Sequence, residues 1–151
     1  IRALVAEGQV DKAAELLGHR HYVDGTVARG GGRGHQIGFP TANLDTGNEL
    51  LPGRGVYVTT ARVGGRVWPS VTNIGRHPTF GEAETQLVET HLLDGGRDLY
   101  GEAVRLSFVK RLRDEQTFAS AEALRAQIAS DCERARVLLD MVSVYPSTQP
   151  G

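Results

Sequence analysis

GVYVTTARVGGRVWPSVT, residues 55–72, holds two runs rich in β-branched residues joined by Gly64-Gly65. A two-residue Gly-Gly link supplies the positive φ angles of a type I′ turn, so the stretch predicts a β-hairpin over 55–63 and 66–72. A lone hairpin is marginal in water and needs further strands or a helix to bury a face. The flanking sequence supplies both.

Upstream, YVDGTVAR (22–29) has strand character and runs into a glycine-dense loop, GGGRGHQIG, at 30–38. Downstream, 73–85 carries turn formers and is expected to be loop, and QLVETHLLD (86–94) is expected to be a strand. DGGRDLYG (94–101) marks a turn, and EAVRLSFVK (102–110) alternates with Val104, Leu106 and Phe108 on one face. Short strands joined by Gly-rich turns, with no alternation of strand and long helix, predict an antiparallel barrel or sandwich. They argue against a parallel nucleotide-binding sheet.

Helical patterns frame the strands. Residues 1–18 show apolar helical spacing broken at Gly8 and closed by Gly18. Over 121–141, Leu124, Ile128, Cys132, Ala135 and Leu139 form one stripe, with Ser120 placed to cap the helix. The expected organisation is an N-terminal linker helix (1–18), a main domain (19–141) and a flexible tail (142–151). The chain opens on Ile1 inside a helical pattern, with no initiator Met, which predicts a fragment of a longer protein.

Composition narrows the class. The 151 residues carry a net charge of −1 and 6% aromatics, which disfavours a nucleic-acid surface built from a basic face with exposed aromatics. No apolar run approaches the ~20 residues that span a bilayer. The single cysteine, Cys132, cannot form an intrachain disulfide, and no secretory signal is visible. The expectation is a cytoplasmic protein with neither membrane nor nucleic-acid partners.

Three groups of residues carry chemistry. In Gly30–Asn43, GGGRGHQIGFPTAN, glycines let backbone N–H groups approach an anion and Arg33 adds charge. The same composition suits a plain surface loop, and neither standard nucleotide fingerprint is present. Thr41 and Asn43 project to one side if the chain is extended, offering hard oxygen ligands for Mg²⁺ and phosphate. For these two residues by themselves, an Asx or ST turn leaving a strand is the better account. Glu89 lies in a strand that is apolar-rich on both faces, where a carboxylate needs an ion-pair partner or a chemical task. In RDEQTF (113–118), an Arg, two acids and an aromatic stand at a helix entrance, suited either to a flat heterocycle or to a solvated connector.

Taken in order, these pieces resemble the riboflavin kinase family. The matching elements are G-x-V (Gly25–Val27), GRGHQIGFPTANL (Gly32–Leu44), LLPGRGVYV (Leu50–Val58), VTNIGRHPTF (Val71–Phe80) and VETHLLD (Val88–Asp94). DLYG (Asp98–Gly101), LSFVKRLRDEQTF (Leu106–Phe118) and L-x-x-Q-I-x-x-D (Leu124–Asp131) complete the set. The resemblance implies a six-stranded antiparallel Greek-key β-barrel with a long C-terminal α-helix. It implies an ATP:riboflavin 5′-phosphotransferase that makes FMN and ADP with Mg²⁺. Glu89 falls on the family's catalytic base and Thr41 on its metal ligand. Gly30, Gly32, Arg33, Gly34, Thr41 and Asn43 fall on the ATP site, and Arg113, Glu115 and Phe118 on the flavin loop. His35 and Gln36 stand where relatives often carry Arg or Lys, which leaves Arg33 as the candidate for the phosphate contact. The N-terminal helix resembles the segment joining an upstream adenylyltransferase module to the kinase module in bacterial bifunctional FAD synthetases. A non-catalytic flavin-binding barrel is the alternative.

Overall fold

In the structure, a computed structural model that describes residues 1–28, 41–47, 50–77, 85–93 and 99–142, the hairpin grows into a closed barrel. The strands are β1 (Tyr22–Ala28), β2 (Ala42–Asp45), β3 (Gly55–Val63), β4 (Arg66–His77), β5 (Thr85–Leu92) and β6 (Ala103–Arg113). Their order around the barrel is β1-β2-β5-β4-β3-β6, with β6 closing back onto β1 and every pair antiparallel. Gly64 and Gly65 have φ of 59° and 82°, as the turn between β3 and β4 requires.

Two strand ends depart from the sequence expectation. β4 runs on through His77, so 73–77 is strand rather than loop. Asn73 and Gly75 are poor strand formers, but Asn73 is paired with Val56 on β3 and Glu89 on β5, and Gly75 with Leu87 on β5, and these ladders override local preference. A Cβ on Gly75 would meet the end of the Glu115 side chain, which would have to shift aside. β6 likewise continues to Arg113, paired with Val56, so Arg113 leaves from a strand and not from a connector.

Alternation sorts side chains into two cores. Tyr57, Ala61, Ile74, Val88, Leu106 and Phe108 fill the barrel. Among them runs a buried ladder of hydroxyls: Thr59 bonds Ser70 at 2.7 Å and Thr72 at 2.8 Å, and Thr72 bonds Thr90 at 2.9 Å. On the outer wall, Val56, Val58, Val71 and Val109 pack under Ala135 and Leu139 of the last helix, α3 (Ala121–Val142). β3 is thus buried on both faces, which accounts for its nearly unbroken apolar and β-branched sequence. Ser120 Oγ accepts a hydrogen bond from the Ala123 N–H at 3.1 Å and caps α3.

The N-terminal pattern forms two helices, α1 (Arg2–Ala6) and α2 (Val10–Leu17), which Gly18 ends in the left-handed region. Both are packed into the fold. Val5, Val10 and Ala13 are fully buried, Val10 joins the barrel-interior cluster, and the Gly53 N–H donates to the Val5 carbonyl at 3.1 Å.

Candidate active site

The site is built from one rung of the sheet. Glu89 on β5 stands directly opposite Asn43 on β2 and Asn73 on β4. Opposed residues of an antiparallel pair project to the same face with Cβ atoms about 5 Å apart. Val88, Thr90 and Leu92 of β5 are buried in the barrel, so Leu87, Glu89 and His91 face outward. The strand is apolar on both sides because its outer side meets a cleft rather than solvent.

That cleft has a cavity of about 280 Å³ between the barrel wall and the start of α3. Thr41, Asn73, Glu89 and His91 form its polar side. Val56, Val71, Leu87, Leu124, Ile128 and Phe118 form its apolar side, and Arg113, Glu115, Gln116 and Asp131 complete it. The stripe on α3 therefore divides. Leu124 and Ile128 line the cavity, while Ala135 and Leu139, two to four turns further on, pack against the barrel.

Thr41 Oγ1 donates to Glu89 Oε2 at 3.4 Å, a long bond between residues 48 positions apart. Asn43 and Asn73 each keep a buried carboxamide oxygen with no hydrogen-bond partner among the described residues. A hydroxyl, two amide oxygens and a carboxylate around one rung form a set of hard oxygen donors. Among the described residues no cluster of three or more His, Cys, Asp or Glu could hold a metal by itself.

The 113–118 segment forms the opposite wall. The Arg113 guanidinium donates to both Asp131 oxygens at 2.8–3.2 Å and to the Asp114 carbonyl at 3.0 Å. It also lies over Phe118, 5.9 Å from the ring centre. Glu115 is paired with Arg54 at 3.1 Å and seated against Gly75. Asp131 is buried and takes a further bond from Gln127. Arg113 thus ties the end of β6 to α3, and its donors are largely committed to that task.

Of the sequence-derived site residues, Thr41, Glu89, Arg113, Glu115 and Phe118 come together on this cavity, and Asn43 stands in the rung beside it. Gly30, Gly32, Arg33 and Gly34 lie outside the described residues. Sequence reasoning passed over Asn73, because 73–85 was expected to be loop. The available signal was alternation: Ser70, Thr72 and Ile74 point inward, which leaves Asn73 as the polar residue on an outer face between Val71 and Gly75.

Comparison with known proteins is consistent with this geometry. The family model described as Flavokinase, riboflavin kinase, matches residues 17–139. The bifunctional riboflavin kinase/FMN adenylyltransferase of Bacillus subtilis is 39% identical over 138 residues, covering 89% of this chain and 44% of that protein. A crystal structure of a protein described as a macrolide-efflux protein from Streptococcus pneumoniae superposes with a TM-score of 0.83 at 33% identity, covering 89% of this chain and 44% of the other. The crystal structure of riboflavin kinase from Trypanosoma brucei superposes with a TM-score of 0.59 at 27% identity, covering 79% and 76%. The chain spans less than half the length of the Bacillus relative. No helix among the described residues is long and apolar enough to cross a membrane.

Proposed function

The chain belongs to the riboflavin kinase family, and we propose that it transfers the terminal phosphoryl group of ATP to the 5′-hydroxyl of riboflavin, giving FMN and ADP. The observation that carries this reading is the meeting of Thr41 and Glu89 in one cleft, with Asn43 in the same rung. Residues from two distant motifs converge where phosphate, hydroxyl and base must meet.

The apolar side of the cavity and Phe118 suit a flat heterocycle, which Arg113 and Glu115 flank. With the ring against that wall, the polyol chain points toward the Glu89 rung. A primary hydroxyl is a weak nucleophile at neutral pH. Glu89 orients it and accepts its proton as the new P–O bond forms. Thr41 would hold the metal and Asn43 would face the terminal phosphates. These oxygen donors fit Mg²⁺, which favours few protein ligands and keeps water and phosphate oxygens around it. When bound, Mg²⁺ supplies charge neutralisation at the transferred group. On this reading Gly30, Gly32, Arg33 and Gly34, which lie outside the described residues, serve the ATP phosphates.

By its likeness to bifunctional relatives the chain is the kinase module of a longer FAD-forming protein, with an adenylyltransferase module upstream. Mixing it with riboflavin, ATP and Mg²⁺ and separating the flavins by chromatography tests the reading. FMN and ADP are expected in equal amounts. Quenching of flavin fluorescence without FMN would leave a flavin-binding barrel instead.

A further inference from the structure

The two asparagines beside Glu89 are not equivalent. Asn73 lines the cavity together with Glu89 and the apolar side chains Val71 and Leu87, whereas Asn43 is outside that lining. The two flank Glu89 from opposite ladders, so with Asn43 assigned to the phosphates by the kinase reading, Asn73 stands on the side of the acceptor substrate.

Its carboxamide oxygen is buried and without a donor among the described residues. Leaving a buried acceptor unpaired is unfavourable, and a central strand is an unfavourable place for Asn. None of the described polar groups on the cavity bonds this oxygen. Glu115, seated against Gly75, is an acceptor when ionised and is already held by Arg54. Asn73 therefore needs a donor that enters the cavity. Glu89, directly across the ladder, is an acceptor of the same kind. Two acceptors side by side in one rung match neighbouring hydroxyls of a polyol chain, each donating to one of them.

We infer that Asn73 is a specificity-determining residue: its carboxamide oxygen accepts a hydrogen bond from the ribityl hydroxyl next to the reacting one. The inference rests on the riboflavin kinase reading of the site. Asn73 fixes which hydroxyl reaches Glu89, because seating the 4′-hydroxyl on Asn73 leaves the 5′-hydroxyl at the carboxylate. A site that bonds a substrate hydroxyl discriminates against the analogue lacking it, since its own acceptor is then left unpaired.

The test compares riboflavin with its 4′-deoxyribityl analogue on the full chain. Affinity is read by flavin fluorescence quenching with ADP and Mg²⁺, and kcat/KM by product formation with ATP. Wild type is expected to prefer riboflavin by at least about tenfold. Asn73→Ala is expected to bring the preference below about threefold, with KM for ATP unchanged. Asn73→Ser provides the same comparison should the alanine variant fail to fold. Equal losses on both flavins, with the preference intact, would mark Asn73 as merely structural and overturn the inference. A wild type that makes FMN yet does not distinguish the two flavins overturns the inference alone. A wild type that neither binds nor phosphorylates riboflavin overturns the kinase reading, and the inference with it.

Discussion

Arg113 grips Asp131 with one edge of its guanidinium, Nη2 to Oδ2 at 2.8 Å and Nε to Oδ1 at 3.0 Å, and so fastens the end of β6 to α3. The aspartate is 2% exposed and the arginine side chain 17%. Removing one partner of such a pair strands a charge out of water. Asp131→Ala is expected to cost about 3–5 kcal/mol, read as a lowered urea midpoint. Replacing both, as Arg113→Met with Asp131→Leu, is expected to restore most of that stability, because no unpaired charge remains. If the single variant unfolds at the wild-type midpoint, the pair does not hold α3 in place.

Glu89→Gln keeps the shape of the rung and removes the base. Turnover is expected to fall by about 10²–10⁴-fold, the usual contribution of a positioned proton acceptor. The melting temperature and the affinity for ATP with Mg²⁺ are expected to stay close to wild type. Near-normal turnover in this variant would mean that another group takes the proton.

Gly8 and Gly18 both have left-handed φ, at 84° and 82°, but their surroundings differ. A Cβ on Gly18 would meet nothing within 4 Å, whereas one on Gly8 would lie 2.7 Å from Arg111 Cδ and 2.8 Å from Tyr57 Oη. Gly18→Ala is expected to cost about 1 kcal/mol, the conformational penalty alone. Gly8→Ala is expected to cost that and the displacement of Arg111 or of α1, roughly 2–3 kcal/mol in all. Chemical denaturation of the two variants side by side measures how tightly the N-terminal helices are seated on the barrel.

Burial pushes the Cys132 thiol up to about 11, with the Asp131 and Glu133 charges adding to the effect. At pH 8 its alkylation by iodoacetamide is expected to be on the order of 100-fold slower than that of a free thiol. The rate should keep rising tenfold per pH unit to about 11, beyond the range where an ordinary thiol levels off. The sign for stability follows from proton linkage. The unfolded thiol ionises first, so its contribution to stability falls as pH rises from about 8.5. Urea midpoints of the wild type and Cys132→Ala across alkaline pH separate this effect from others.

Features with local causes were legible in the sequence. Gly64-Gly65 specified the hairpin turn, Gly18 ended α2 through its left-handed φ, and Ser120 capped α3. Strand alternation set Glu89 on the face opposite Val88 and Thr90, but with both faces apolar-rich only the structure decided that the Glu89 face is the outer one. Asn73 and Gly75 were misjudged because their local preference is for turns, while β5 holds both, and β3 also holds Asn73, in a strand. The stripe from Leu124 to Leu139 was legible as one apolar face. Its division between cavity wall and core was not, since that depends on where the barrel surface recedes from the helix.

Sequence alone determined the period of each element, its turns and caps, and the order of the motifs, because these depend on residues within a few positions of one another. Only the tertiary structure decided that Thr41, Asn73 and Glu89 share one cleft and that Arg113 is spent on Asp131. Barrel closure sets which strands are neighbours, and register along those ladders sets which side chains meet across 48 residues of chain.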